Sequence, residues 1–220
     1  MPLITEIRHL LLRELRMEWK QKYAINGLLL YIISTIYVCY LSFKTVVDVP
    51  TWNALFWIIL LFAAVNATSK SFATESRGRL LYYYTLAGAP AIILSKIIYN
   101  AGLMLVISIA GYLIYSLLIG DLVQDKPYFI IGLVLGATGF SSVLTLVAAI
   151  ASKASNSGTL MAILSFPLII PMLIVLIRFS KNAADGLAHS VQQPYIIALI
   201  AINIIVVVLA RLLFPFLWRD

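Results

Sequence analysis

The sequence predicts an all-α membrane protein with six transmembrane helices. Of its 220 residues, 62% are apolar and only 11% are charged. Six runs contain no Asp, Glu, Lys, Arg or His, and each approaches or exceeds the roughly 20 residues that cross a bilayer. A soluble domain this apolar would leave large apolar patches on its surface, so that class is excluded.

Residues 1–23 are predicted to form an amphipathic interfacial helix that precedes one six-span domain, residues 24–220. Its apolar residues recur at helical spacing, and its basic residues point elsewhere, as is typical of a helix lying flat on a membrane. The apolar residues are Ile4, Ile7, Leu11 and Leu15. Such a helix is either a simple anchor or an elbow that packs against neighbouring spans and moves with them.

The spans are predicted at residues 24–43, 51–69, 90–119, 128–151, 158–177 and 194–215. The third would be about 45 Å long at 1.5 Å per residue, longer than the bilayer is thick. We therefore expect its first turns to protrude at the interface, where the Lys96 side chain can reach the headgroups. Of the outer loops, only the stretch from Arg178 to Gln193 is long enough to dock a partner.

The distribution of basic residues predicts the orientation. Twelve of the 16 Lys and Arg lie on the side of the two termini, so both termini are expected in the cytoplasm. Anionic lipid in the inner leaflet accounts for the net charge of +7, and no nucleic-acid partner is implied.

A polar segment, FATESRGRLLYYYTLAGAPAIILSK, separates the second and third spans at residues 72–96. Apolar residues share one helical face there, and Glu75 precedes Arg79 at the spacing of a helical ion pair. Gly88 permits a helix stop and Pro90 suits a helix start, so together they form a predicted hinge. A short cytoplasmic helix joined to an over-long span indicates a coupling helix that receives motion from a cytoplasmic partner. An interfacial aromatic anchor without a partner is the alternative.

The residues predicted to contact that partner lie on both faces of the segment. They are Phe72, Glu75, Arg77, Arg79, Leu80 and Tyr83.

Two spans carry small or helix-breaking residues. Gly132, Gly136 and Gly139 form a face that lets another helix approach closely. Pro167 and Pro171 are four residues apart, so their lost backbone hydrogen bonds lie on one side and the helix should bend there. The bend serves either a gating motion or packing alone.

Catalytic and nucleotide-binding motifs are absent from the sequence, so ATP hydrolysis would need a separate subunit. No catalytic residue and no metal site are predicted. Cys39 is the single cysteine, and the two histidines, His9 and His189, lie on opposite sides of the membrane in this topology. His189 is expected to be a solvated surface residue. The asparagines of the spans are interpreted as interhelical hydrogen-bonding groups; they are Asn26, Asn53, Asn66, Asn100 and Asn203.

Over nearly its whole length the chain resembles the CcmB family, the membrane subunits of the ABC complex for cytochrome c maturation. One shared pattern is F-x-x-E-x-x-G-x-L at residues 72–80, with SKIIYN at residues 95–100. The other is Leu135-Gly136 followed by FPLIIP at residues 166–171. The chain departs from the pattern at Leu81 and Ala87, where many members carry an acidic residue and a proline.

The resemblance implies an ABC-2-type permease in the bacterial inner membrane that pairs with a CcmA-like ATPase, on which ATP is bound. It also implies a CcmC-like haem-handling protein and a CcmE-like haem chaperone as partners. Haem would be exported, or the haem-loaded chaperone released to the periplasm; we favour release because the sequence offers no clear haem ligand.

Three alternatives are an ABC-2 permease for another apolar substrate, an intramembrane enzyme and a passive scaffold. The enzyme is disfavoured because no span carries the arrangement of paired acids, histidine or an activated nucleophile that catalysis would need. A scaffold would not need a coupling helix.

Overall fold

The structure, a computed structural model, describes residues 3–21, 23–43, 48–69, 71–72, 87–154 and 156–219. Within these ranges the chain forms seven helices and no strand. They are α1 (Leu3–Gln21), α2 (Tyr23–Ser42), α3 (Val49–Ser69), α4 (Ala89–Ile119), α5 (Lys126–Ala151), α6 (Ser157–Ala184) and α7 (His189–Arg219). Helices α2 to α7 are long and apolar enough to cross a membrane, which confirms the all-α, six-span prediction.

Successive spans run in opposite directions, so the bundle has two ends. At one, here called the α1 end, α1 contacts the first turns of α4 through an ion pair between Glu14 and Lys96. At the far end, the connection between α4 and α5 hydrogen-bonds the end of α6: the Asp125 amide donates to the Ala183 carbonyl at 3.0 Å. The beginning of α2 and the end of α7 therefore lie at the α1 end.

Helix α5 lies at the centre of the bundle and packs against α3, α4, α6 and α7. Every residue from 139 to 149 is buried. Helices α2 and α7 lie at the periphery and expose large apolar side chains such as Leu30, Val38, Ile197 and Phe216. These surfaces suit contact with lipid, because hydrocarbon solvates apolar side chains at no cost.

The connection between the last two spans is much shorter than predicted. Helix α6 continues to Ala184 and α7 begins at His189, so the expectation of a docking loop from Arg178 to Gln193 is wrong. The charged residues near the end of α6 do not end the helix, because Arg178 is exposed and Lys181 forms an ion pair with Asp185 at 3.3 Å. Phe179 and its buried neighbours continue to pack against the bundle.

The glycine face of α5 meets bulky side chains of α3 and α6. A Cβ atom at Gly132 would lie 2.8 Å from the Phe179 ring, and one at Gly136 would lie 2.7 Å from the Trp57 ring. At Gly139 it would collide with the end of Met172. Because glycine has no side chain, it allows the helices to approach this closely at these three positions.

The two predicted bending prolines, Pro167 and Pro171, lie within α6, and both are exposed. The helix is continuous through them. Their role in gating stays a prediction.

Substitution of Gly136 by Ala should destabilise the protein. The added methyl meets the Trp57 ring, whose Nε1 donates to Ser180 Oγ at 2.7 Å and so resists displacement. Overpacking of this kind costs about 1–3 kcal/mol. We expect a lower thermal unfolding temperature for purified Gly136→Ala in lipid nanodiscs.

Gly102→Ala in α4 is the matched control, because the added methyl would meet no other side chain and no other helix within 4 Å. It should keep or raise the unfolding temperature. Equal stability of the two variants would show that the contact with Trp57 does not restrict position 136.

Candidate functional site

Helix α1 turns its acidic side chains toward the rest of the protein. The Gly88 amide, just before α4, donates to Glu6 Oε2 at 3.2 Å. Two turns further along α1, Glu14 Oε1 lies 3.5 Å from Lys96 Nζ, and Glu18 lies beside Tyr99. The opposite side of α1 exposes apolar and basic residues, namely Ile4, Arg8, Leu12, Leu15 and Arg16.

The Lys96 side chain is only 5% exposed, so the expectation that it reaches the membrane interface is wrong. Its ammonium group contacts Glu14, donates to the carbonyl oxygen of Ser71, and lies 4.8 Å from the centre of the Phe72 ring. A buried charge is tolerated only when it is paired and hydrogen-bonded. These contacts therefore keep Lys96 inside the bundle.

Asn100 lies one turn beyond Lys96 on the same side of α4. Its Nδ2 donates to Ser71 Oγ at 2.9 Å and to Thr145 Oγ1 of α5 at 2.8 Å. Nearby, Ser141 Oγ donates to the Ile97 carbonyl oxygen at 3.1 Å. The start of the α3–α4 connection is thereby joined to the central helix.

Phe72 is buried, and its ring packs against Phe214 near the end of α7, with 6.1 Å between ring centres. We call the group of contacting residues the Lys96 junction; its members are Glu14, Ser71, Phe72, Lys96 and Asn100. The junction joins α1, α4, α5 and α7 where the α3–α4 connection leaves the bundle.

Most of the predicted coupling residues lie outside the described residues. Only Phe72 lies within them, on the inner side of the junction, and the roles of the others stay predictions; the others are Glu75, Arg77, Arg79, Leu80 and Tyr83. At the far end of the segment, Gly88 has an extended backbone, with φ −68° and ψ 142°. It immediately precedes α4, whose first turn contains Pro90.

Sequence reasoning missed Glu14 and Ser71. The interpretation of residues 1–23 rested on their apolar and basic residues alone, so it gave Glu14 no role. The signal that could have found it is the pairing of an acidic residue in α1 with a lysine inside a long apolar span, since such a lysine needs a counterion.

A second buried polar cluster lies toward the far end of the bundle and includes Asn53 and Trp57 of α3. Asn53 Nδ2 donates to the Ile177 carbonyl oxygen at 2.9 Å, and Trp57 Nε1 donates to Ser180 Oγ. Contacts of Asn53, Asn100 and Asn203 confirm the predicted interhelical hydrogen bonding. Asn26 and Asn66 are exposed instead.

His189 lies at the far end, exposed as expected, with Nε2 3.1 Å from Asp125 Oδ2 and its ring stacked on Tyr128. In the α4–α5 connection, which also contains Asp125, partial burial would raise the pKa of Asp121. Hydrogen bonds from Lys126 and from the Val123 amide outweigh this effect and lower it. Among the described residues, no three His, Cys, Asp or Glu side chains come together as metal ligands would.

The fold and the junction define a class: a polytopic membrane protein whose α3–α4 connection is tied to an N-terminal amphipathic helix. The sequence model of the CcmB protein family matches residues 5–216, and the chain belongs to this family. It is accordingly a multi-pass inner-membrane protein of the haem-handling system for cytochrome c maturation. A comparison with curated proteins finds no match.

Replacing Asn100 by Ala should loosen the start of the α3–α4 connection. The change leaves Thr145 Oγ1 and Ser71 Oγ without their Asn100 partner, and an unsatisfied buried polar group costs about 1–3 kcal/mol. Thermal unfolding and limited proteolysis between α3 and α4 would measure the effect. Asn66→Ala removes an exposed amide from α3 and should leave both unchanged; equal behaviour of the two variants would contradict the structural role of Asn100.

Proposed function

We propose that the protein is the permease subunit of an ATP-driven complex and that a CcmA-like ATPase binds its α3–α4 connection. CcmC-like and CcmE-like proteins would be its partners in haem handling. Membership of the CcmB family supports a place for the protein in a complex of cytochrome c maturation. The Lys96 junction supports the mechanism, and it is the observation on which the proposal rests.

Motion can pass from a connection into a bundle only if the connection is held firmly at both ends. Ser71 and Phe72, at the start, contact Lys96, and Ser71 also contacts Asn100. Gly88, at the end, contacts Glu6 of α1. Polar contacts inside the bundle are costly to break, because breaking them leaves hydrogen-bonding groups unsatisfied away from water. They therefore suit the transmission of a displacement between residues 73–86 and the helices.

The packing around α5 bears on the choice between haem export through this subunit and release of a haem-loaded chaperone. Side chains of Phe179, Leu176, Trp57 and Met172 fill the space along the glycine face of α5. A substrate as large as haem would have to separate these helices to pass there. We therefore propose ATP-driven release or presentation of the haem-loaded chaperone as the role of the complex.

In this proposal haem is a handled ligand, and ATP binds the partner subunit. The chain supplies the mechanical link between them and performs no covalent chemistry. Gly88 with Pro90, and Pro167 with Pro171, are the proposed hinges of α4 and α6.

Variants of the proposed coupling helix should weaken the capture of the ATPase. Leu80 and Tyr83 are proposed as desolvated anchors, whose truncation often costs about 2 kcal/mol or more, whereas exposed charges at a rim contribute little. At equal membrane abundance, a tagged Leu80→Ala, Tyr83→Ala variant should pull down less ATPase than Arg77→Ala. It should also mature less cytochrome c.

Undiminished ATPase capture by the double variant would overturn the coupling proposal. The tyrosines of the segment would then be a headgroup anchor.

The proposed orientation can be tested by labelling single cysteines in a Cys39→Ala background. Asp185→Cys, between α6 and α7, should react with an impermeant maleimide added outside the cytoplasmic membrane, while Arg77→Cys should be protected until the membrane is permeabilised. The reason is the excess of Lys and Arg at the α1 end. The reverse labelling pattern would place both termini outside.

A further inference from the structure

We propose that the Glu14–Lys96 pair makes α1 a moving part of the transmission, so that a displacement of residues 73–86 reaches α1 and α7 as well as α4. The inference rests on the proposed function for its source of motion. It goes further by assigning α1 a mechanical role and by naming Glu14 and Lys96 as positioning residues.

The first argument is that α1 is linked to both ends of the segment, directly at Gly88 and through Lys96 at Ser71. Glu6 accepts a hydrogen bond from Gly88 at the end of the segment, at 3.2 Å. Glu14 pairs at 3.5 Å with Lys96, which itself donates to the Ser71 carbonyl oxygen at the start. Two acidic side chains eight residues apart on one helix thus reach the residues on either side of the segment. A rigid helix that is linked to both ends moves with them.

The second argument is the burial of the ammonium group. Lys96 is 4% exposed, and the Glu14 side chain is 18% exposed. If α1 moved away from α4, the buried positive charge would lose its ion pair with Glu14. Separation is therefore disfavoured, and α1 follows α4. A helix that only anchored the chain to lipid would not need its acidic residues turned inward.

The third argument extends the link to the end of the chain. The Phe72 ring lies between the Lys96 ammonium, at 4.8 Å from its centre, and the Phe214 ring of α7, at 6.1 Å between centres. Movement of the junction thus displaces the end of α7 as well. The two terminal helices are driven from one point.

The docking of α1 can be measured without any partner. In the purified chain in nanodiscs, Glu14→Gln should speed amide hydrogen exchange in α1 and around residues 87–92 about tenfold, because local opening becomes easier. His9→Gln creates the same residue on the exposed side of α1 and should leave exchange unchanged. Equal exchange in the two variants would overturn the docking of α1 through Glu14.

A double-mutant cycle tests the pair itself. If Glu14 acts through Lys96, then Glu14→Gln combined with Lys96→Gln should exchange no faster than Lys96→Gln alone. If the increases in exchange rate caused by the two single changes multiply in the double variant, Glu14 and Lys96 act independently. That result would overturn the proposal that their pairing links α1 to α4.

Transmission is tested in cells that carry the whole complex. Glu14→Gln should lower haem-linked cytochrome c about tenfold at unchanged membrane abundance and unchanged ATPase capture, because the partner still binds while motion is lost. Parallel loss of abundance and capture would show a merely structural role and overturn the inference, as would full maturation in a variant with accelerated exchange. Failure of the wild-type chain to capture any ATPase would instead refute the proposed function, and the exchange measurements would stand.

Discussion

The arrangement of the α1 end depends on one buried positive charge. Lys96 lies in an apolar helix, and its ammonium group is shielded from solvent, so the protein must bring a counterion and hydrogen-bond acceptors to it. Glu14 supplies a counterion and thereby links α1 to α4. The Ser71 carbonyl supplies an acceptor and thereby fixes the end of α3. Satisfying this charge positions three elements that the apolar effect alone would not orient, because lipid-facing and protein-facing apolar surfaces are equivalent in a membrane.

In the interior of the bundle toward the far end, the helices are joined by neutral hydrogen bonds, whereas the charged pairs of that end, such as Lys126 with Asp121, include solvent-exposed side chains. Asn53, Trp57 and Ser180 join α3 to α6, and the Trp57 ring fills the space that Gly136 leaves on α5. Close helix approach and side-chain hydrogen bonding thus reinforce each other there. The α1 end, by contrast, depends on a charged pair that spans separate elements. This asymmetry suits a protein in which one end stays packed while the other receives a displacement.

The sequence was sufficient for the number of spans and their order, since charge-free apolar runs leave few alternatives. It located the helix start near Pro90 and the close-packing glycines of α5 from local chemistry. It failed for Lys96 and for the α6–α7 connection for the same physical reason: each charged residue was assumed to require water. Lys96 instead pairs with the partly buried carboxylate of Glu14, and Lys181 pairs with Asp185 one turn further along, at the end of α6. Helix α6 is therefore longer than predicted. Pairing is a tertiary property, so periodicity and hydropathy do not reveal it.

The inward turn of the α1 acids also changes what the protein presents at the membrane. Glu6 and Glu14 contact Gly88 and Lys96, while Arg8 and Arg16 remain exposed beside Ile4, Leu12 and Leu15. The outer face of α1 is therefore more basic than the sequence of the helix implies, because its acids are neutralised or hydrogen-bonded within the protein. Basic and apolar side chains together favour a surface of anionic lipid. The proposed attachment of α1 to lipid and its proposed movement with α4 are compatible, since the two sets of contacts involve different residues.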